Sequence, residues 1–129
     1  MDQDRLVKQH YASKYKKNSL QNLNPMDLRT DTGALWENFC IMERLKYLEY
    51  ERINCNQYFW RTYTQKEIDY IEEKGGILNA YEFKWNTTKK TKIPKEFLET
   101  YQNSTYTIIT KQNIDDFLDT KTKFDYEKR

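Results

Sequence analysis

The chain has few of the residues that bend a backbone or cross-link it. Its 129 residues include three Gly, two Pro, two Cys and one His. Cys40 and Cys55 form no CxxC pair, which excludes a zinc-ribbon spacing and indicates reduced thiols in a cytosolic protein. The three glycines cannot form a GxxxxGK[ST] phosphate loop, so ATP binding and hydrolysis by this chain are excluded.

Long apolar runs are also missing. No stretch approaches the ~18 apolar residues of a membrane span, and no basic-then-apolar leader opens the chain. A mean hydropathy of -1.08 leans toward disorder, but the 16% of aromatic residues is more than disordered chains carry. The net charge of +2 is too small to indicate nucleic-acid binding by itself. We therefore expect a soluble, cytoplasmic, globular protein without a membrane partner.

Composition along the chain indicates one domain between two charged ends. Residues 1–18 are polar and close with a lysine cluster, which favours a frayed N-terminal arm. Residues 19–120 contain every apolar segment with a clear period, and we expect them to form a single domain. Residues 121–129 are a charged tail.

Hydrophobic periodicity predicts the order helix, three strands in a meander, helix, strand. The strongest helix spans 34–51, where six apolar residues fill one broad arc at 100° intervals. The remaining segments are a β-prone run at 57–63, a hairpin at 67–85, a helix starting near Pro94 and a strand at 105–110. This order predicts an α/β fold of mixed type.

The Gly75-Gly76 pair fixes the register of the hairpin. Gly-Gly suits a two-residue turn, because both central positions need positive φ. Opposed residues then have numbers that add up to 151, so Asp69 faces Glu82 and Lys84 follows on the same face unless a bulge intervenes. Two carboxylates held ~4.5–5.5 Å apart at Cβ destabilise a strand pair, so the pair needs compensation.

Two explanations for the opposed carboxylates stay open. The first is a divalent cation, since Mg²⁺ binds oxygen ligands and typically takes one or two carboxylates together with waters and a substrate phosphate. Lys84 would then neutralise developing negative charge, and Glu37 could reach in from the preceding helix as a further carboxylate. The second is a solvated ion network in which Lys84, Lys66 and Arg61 relieve the repulsion.

Four strings resemble a known family: DLRTDTGALWENFCIMERLK, FWRTYTQKEIDYIEEKGGILNAYEFKWN, KKTKIPKEF and TYTIIT. They are similar to the uncharacterised C-terminal domain of bacterial and archaeal AAA-type P-loop ATPases, a domain of the PD-(D/E)XK nuclease-like superfamily. The resemblance covers about residues 20–118 and rests on G-x-L-W-E-N, F-W-R, E-I-D and E-x-K. It implies a restriction-endonuclease-like core, with a central mixed sheet in the order α-β-β-β-α-β flanked by helices. The ATPase half has no counterpart here.

The resemblance also implies roles for individual residues. The metal ligands for Mg²⁺ or Mn²⁺ would be Asp69, Glu82 and the backbone carbonyl of Phe83. The catalytic lysine would be Lys84 and the supporting carboxylate Glu37. Contacts to a phosphate backbone would come from Arg61, Lys89, Lys90 and Lys92, although a lysine-rich loop is also typical of a solvated surface.

The expected function is therefore Mg²⁺-dependent hydrolysis of DNA phosphodiester bonds. Two alternatives stay open. The chain could be a non-catalytic module that keeps the nuclease-like fold to bind nucleic acid or protein. It could also be a truncated remnant of a longer AAA-type ATP-binding protein.

Overall fold

Eight secondary-structure elements make up the part of the chain that the computed structural model describes, residues 4–8, 31–86 and 92–119. In chain order they are β1 (Asp4–Lys8), α1 (Thr32–Tyr50), β2 (Asn56–Thr62), β3 (Glu67–Lys74), β4 (Ile77–Phe83), α2 (Lys95–Thr100), β5 (Thr105–Ile109) and α3 (Ile114–Leu118). The five strands form one sheet in the order β1-β2-β3-β4-β5. The mixed α/β class is confirmed, and from α1 to β5 the elements follow the predicted order.

The N-terminal strand differs from the prediction. Residues 4–8 of the predicted frayed arm form β1, which pairs antiparallel with β2 from Asp4 opposite Thr62 to Lys8 opposite Tyr58. Leu6 packs against the buried core, and this single apolar contact is too weak a signal for a sequence pattern to show. The rest of the predicted arm, and the tail 121–129, lie outside the described residues.

The hairpin turn is the predicted one. Gly75 and Gly76 have φ of 61° and 81°, the left-handed values that the turn requires and that residues with a Cβ rarely adopt. The ladder runs from Tyr70 opposite Tyr81 to Lys74 opposite Ile77, so paired residue numbers add up to 151 as expected. The register of β3 on β4 is therefore confirmed over these five pairs.

The described chain divides into two compact units. The sheet unit contains residues 4–8, 54–82 and 92–108, and the helical unit contains residues 31–53, 83–86 and 109–119. The sheet unit is built around one buried cluster, formed by Trp60, Ile68, Ile71, Leu78, Ala80 and Phe97. Phe97 enters this cluster from α2, and its ring meets Trp60 edge to face at 5.6 Å between centroids.

The helical unit is organised by α1, whose buried face coincides with the predicted arc only in part, since Ile41 and Leu48 are buried as predicted. Trp36 and Cys40 are buried, whereas Phe39, which the 100° spacing placed inside, is 47% exposed. Trp36 accounts for the difference between the buried face and the predicted arc. Its Nε1 donates to the Ile109 carbonyl at 3.4 Å, and its ring meets the Trp85 ring edge to face at 5.3 Å between centroids. No helix among the described residues is long and apolar enough to cross a membrane.

Arg44 joins α1 to α3 within the helical unit. Its Nη1 donates to the Phe117 carbonyl at 2.6 Å, and its guanidinium lies 4.8 Å from the Phe117 ring and 5.0 Å from the Tyr47 ring. We expect Arg44→Ala to lower the free energy of unfolding by about 2–3 kcal/mol, because a charged hydrogen bond and the cation–π contacts are lost together. Urea unfolding measures the change.

Lys46 supplies the matched control for Arg44 on the same helix. Its Nζ pairs with Glu43 at 3.0 Å, and its side chain is largely exposed. An exposed i,i+3 pair contributes only a few tenths of a kcal/mol, so Lys46→Ala should change stability by less than about 0.5 kcal/mol. Equal losses from the two substitutions would contradict the role given to Arg44.

Candidate functional site

The two predicted carboxylate ligands lie in the sheet unit on neighbouring strands. Asp69 is near the start of β3 and Glu82 is near the end of β4. The last cross-strand pair of the β3–β4 ladder is Tyr70 opposite Tyr81, whose rings lie 6.0 Å apart. Asp69 comes immediately before Tyr70 in the chain, and Glu82 comes immediately after Tyr81. Asp69 is exposed and Glu82 is half-buried. The two carboxylates are therefore one step beyond a confirmed strand pair.

A β-bulge interrupts β3 at Asp69. Tyr58 opposes Ile71 and Trp60 opposes Ile68, so Asp69 and Tyr70 together lie opposite a single residue of β2. The extra residue breaks the period of two, and Ile68 and Ile71 consequently belong to the same buried cluster. Strict alternation along β3 would put Ile68 on the face opposite Ile71, so the alternation expected of the hairpin fails at this point. Counting along β3 therefore does not assign Asp69 to the face of Glu82.

Glu82 acts electrostatically on Tyr106, a residue of β5 that the sequence analysis did not single out. Burial, with the Glu82 charge as the second cause, raises the pKa of Tyr106 to about 12. Tyr106 also packs against the buried cluster. The Glu82 carboxylate is thus close enough to influence a half-buried phenol. The alternating pattern of TYTIIT marks Tyr106 as a strand residue but carries no signal of this neighbour.

Phe83 and Lys84 follow Glu82 in the chain and belong to the helical unit. Phe83 is buried, and its ring meets Phe117 at 5.7 Å between centroids. The Lys84 backbone N–H donates to the Ile109 carbonyl at 2.9 Å, and its side chain is half-buried. The ring contact of Phe83 and the backbone bond of Lys84 therefore anchor these two residues within the helical unit.

Glu37 lies on α1 and is half-buried. Burial, reinforced by the Glu37 charge, raises the pKa of the Cys40 thiol far above its usual range. A protonated thiol is neither a nucleophile nor a metal ligand, so Cys40 acts as a small apolar core residue.

Asp69 and Glu82 are carboxylates, the type of oxygen ligand that a hard cation prefers. Within residues 4–8, 31–86 and 92–119, no group of three or more His, Cys, Asp or Glu residues is arranged to hold a metal ion. Mg²⁺, however, is commonly bound through one or two carboxylates plus waters and substrate phosphate, the ligand set that Asp69 and Glu82 would begin.

Arg61, the predicted phosphate contact, lies on β2 beside a groove of about 170 Å³. The groove, called the arginine–aromatic groove below, is lined by Arg5, Val7, Phe59, Arg61, Thr62 and Tyr63. Arg61 stacks over the Phe59 ring at 5.4 Å, and its Nη2 lies 3.3 Å from Glu67 Oε2. Of the three predicted lysines, Lys92 is exposed before α2, and Lys89 and Lys90 lie outside the described residues.

A family model with the description "Domain of unknown function (DUF4143)" matches residues 32–124. The chain belongs to this family. The prediction of an uncharacterised domain is thereby confirmed, and the DUF4143 segment includes Glu37, Asp69, Glu82 and Lys84. It begins at α1, so β1 precedes the matched residues. No curated protein and no solved structure gives a match to the chain.

Proposed function

We propose that this DUF4143 chain is a PD-(D/E)XK nuclease-like domain that hydrolyses DNA phosphodiester bonds with Mg²⁺ or Mn²⁺ in the cytoplasm. The observation that carries the proposal is the position of Asp69 and Glu82 on adjacent strands, directly beyond the Tyr70–Tyr81 pair. The bulge at Asp69 adds support, because bulges are over-represented next to active sites, where they re-aim a side chain.

Each residue has a defined task under this proposal. The family resemblance gives Asp69, Glu82 and the Phe83 carbonyl as the groups that would hold the cation. A bound divalent cation supplies Lewis-acid polarisation of a phosphate oxygen and a water of lowered pKa. The family resemblance gives Lys84 the role of the lysine that would neutralise negative charge developing on the phosphate. The family resemblance gives Glu37 the role of a supporting carboxylate.

Cleavage of DNA by the full chain tests the proposal. Plasmid and linear DNA are incubated with the protein in Mg²⁺, in Mn²⁺ and in excess chelator, and product is followed over time. We expect cleavage only with metal, and a loss of at least about 100-fold in Asp69→Asn, because a charged ligand becomes a neutral one. Glu99→Gln, an exposed carboxylate change on α2, should behave as the wild type.

Two results would contradict this proposal. One is the absence of cleavage by the wild-type chain with either metal. The other is cleavage that Asp69→Asn leaves unchanged.

A non-catalytic nucleic-acid-binding module is the second candidate function. The arginine–aromatic groove favours it, because two guanidinium groups and the exposed Tyr63 ring would bind nucleic acid without any cation. Binding by this module would survive the loss of Asp69 and Glu82, whereas cleavage would not.

A further inference from the structure

Arg5 and Arg61 form an unfavourable strand pair in the arginine–aromatic groove. They are direct cross-strand partners on β1 and β2. Like charges placed directly opposite one another destabilise a strand pair. Glu67 compensates Arg61 only in part, because both side chains of that ion pair are about half exposed. Among the side chains that the structure describes, which do not include that of Asp4, no carboxylate forms an ion pair with Arg5. This part of the groove therefore carries an excess of positive charge.

Each of the two guanidinium groups lies over an aromatic ring. The Arg5 Cζ lies 5.9 Å from the centre of the Tyr63 ring, and the Arg61 Cζ lies 5.4 Å from the centre of the Phe59 ring. A guanidinium stacked on a ring loses less freedom when it binds a ligand, and its planar fork matches the oxygens of a phosphate. Each of the two paired arginines is thus partly ordered before a phosphate binds.

Tyr63 adds a second kind of contact at the same groove. It directly follows β2, and its side chain is 65% exposed. An exposed tyrosine ring is a platform on which a nucleic-acid base stacks. Bases of a duplex have their faces covered by their neighbours, whereas bases of a single strand are free to stack on a side chain.

We propose that the arginine–aromatic groove binds single-stranded nucleic acid, with a phosphate between Arg5 and Arg61 and an adjacent base on Tyr63. The groove depends on β1, which lies outside the segment that the DUF4143 family shares. The inference extends the proposed function by naming the form of the substrate. It needs no cation, so it is tested in excess chelator, where its failure is separate from a failure of hydrolysis.

Fluorescence anisotropy of a labelled oligothymidine with the full chain measures the binding. We expect Arg5→Gln to weaken it about tenfold and to reduce the slope of log K against log salt by about 0.7, the value for one phosphate contact on a single strand. Arg5→Lys should weaken binding less, because the charge remains while the two-pronged contact is lost. Tyr63→Leu should weaken binding about 5- to 150-fold, the range for one stacked base.

Lys8→Gln is the matched control, since Lys8 is exposed on β1 but does not line the groove. It removes the same charge from the same strand and should weaken binding less than threefold, as a contact outside the groove does. Equal effects of Arg5→Gln and Lys8→Gln would overturn the proposal.

Two competitors complete the test. Binding of a duplex of equal length as tightly as the single strand would overturn the single-strand assignment. Displacement of the oligonucleotide by a poly-glutamate peptide at the same concentration would point to an acidic protein partner and also overturn it. Displacement by an unlabelled single strand alone supports the proposal.

Discussion

Replacing Glu82 by Gln is expected to reduce metal-dependent DNA cleavage at least about 100-fold while leaving the fold intact. The substitution keeps the size of the side chain and removes only its charge. The same change should lower the pKa of Tyr106 from about 12, because the Glu82 charge is the second cause of its elevation. Cleavage and an alkaline titration of isotope-labelled tyrosine by NMR measure the two effects.

The pKa of Tyr106 distinguishes a variant that has lost only the site from a variant that has lost the fold. Burial is the larger cause of its raised pKa, so a folded Glu82→Gln variant should still titrate Tyr106 above its ordinary value of 10.0. An unfolded variant would titrate it at that ordinary value. Normal cleavage by a variant whose Tyr106 pKa has fallen would remove Glu82 from the proposed site. Glu99→Gln should change neither quantity.

The raised pKa of Tyr106 also predicts a pH dependence of stability. Below pH 10 the phenol is protonated in both the folded and the unfolded chain. Above it the unfolded chain loses this proton first, so the folded state loses stability as the pH rises toward about 12. Tyr106→Phe should remove this part of the alkaline destabilisation.

The turn and the long helix were predictable because their signals are local. Gly75-Gly76 is strongly favoured in a turn that requires positive φ at both positions, and the turn alone sets the register of β3 on β4. The apolar residues of segment 34–51 recur with the helical period, and α1 occupies Thr32–Tyr50. Which side of α1 is buried was less predictable, since Trp36 is positioned by Ile109, a residue far away in sequence.

The bulge and β1 were not predictable because their causes are long-range. The extra residue at Asp69–Tyr70 is visible only against β2, where Ile68 and Ile71 both reach the buried cluster. β1 offers one core contact, Leu6, and gains its place through backbone pairing with β2. A sequence pattern contains the apolar residues but not the partner strand, so the arginine–aromatic groove between β1 and β2 was missed apart from Arg61.

Phe97→Ala is expected to lower the free energy of unfolding by about 3–5 kcal/mol, the largest stability effect that we predict. Phe97 has no exposed surface and contributes the α2 side of the buried cluster of the sheet unit. Its ring touches Trp60 edge to face and lies 5.1 Å from the Tyr101 ring. Truncation removes both ring contacts and leaves a cavity. The cavity stays open because the hydrogen-bonded strands around it cannot move inward to fill it.

Urea unfolding followed by tryptophan fluorescence measures the loss, which is a large part of the ~5–15 kcal/mol typical of a domain. Phe97→Leu should lose less than Phe97→Ala, because most of the volume is kept. Ile93→Ala, two residues before α2 begins and 61% exposed, should stay within about 0.5 kcal/mol of the wild type. A loss below 1 kcal/mol in Phe97→Ala would mean that α2 does not close the core. The sheet that positions Asp69 and Glu82 would then depend on pairing between strands alone.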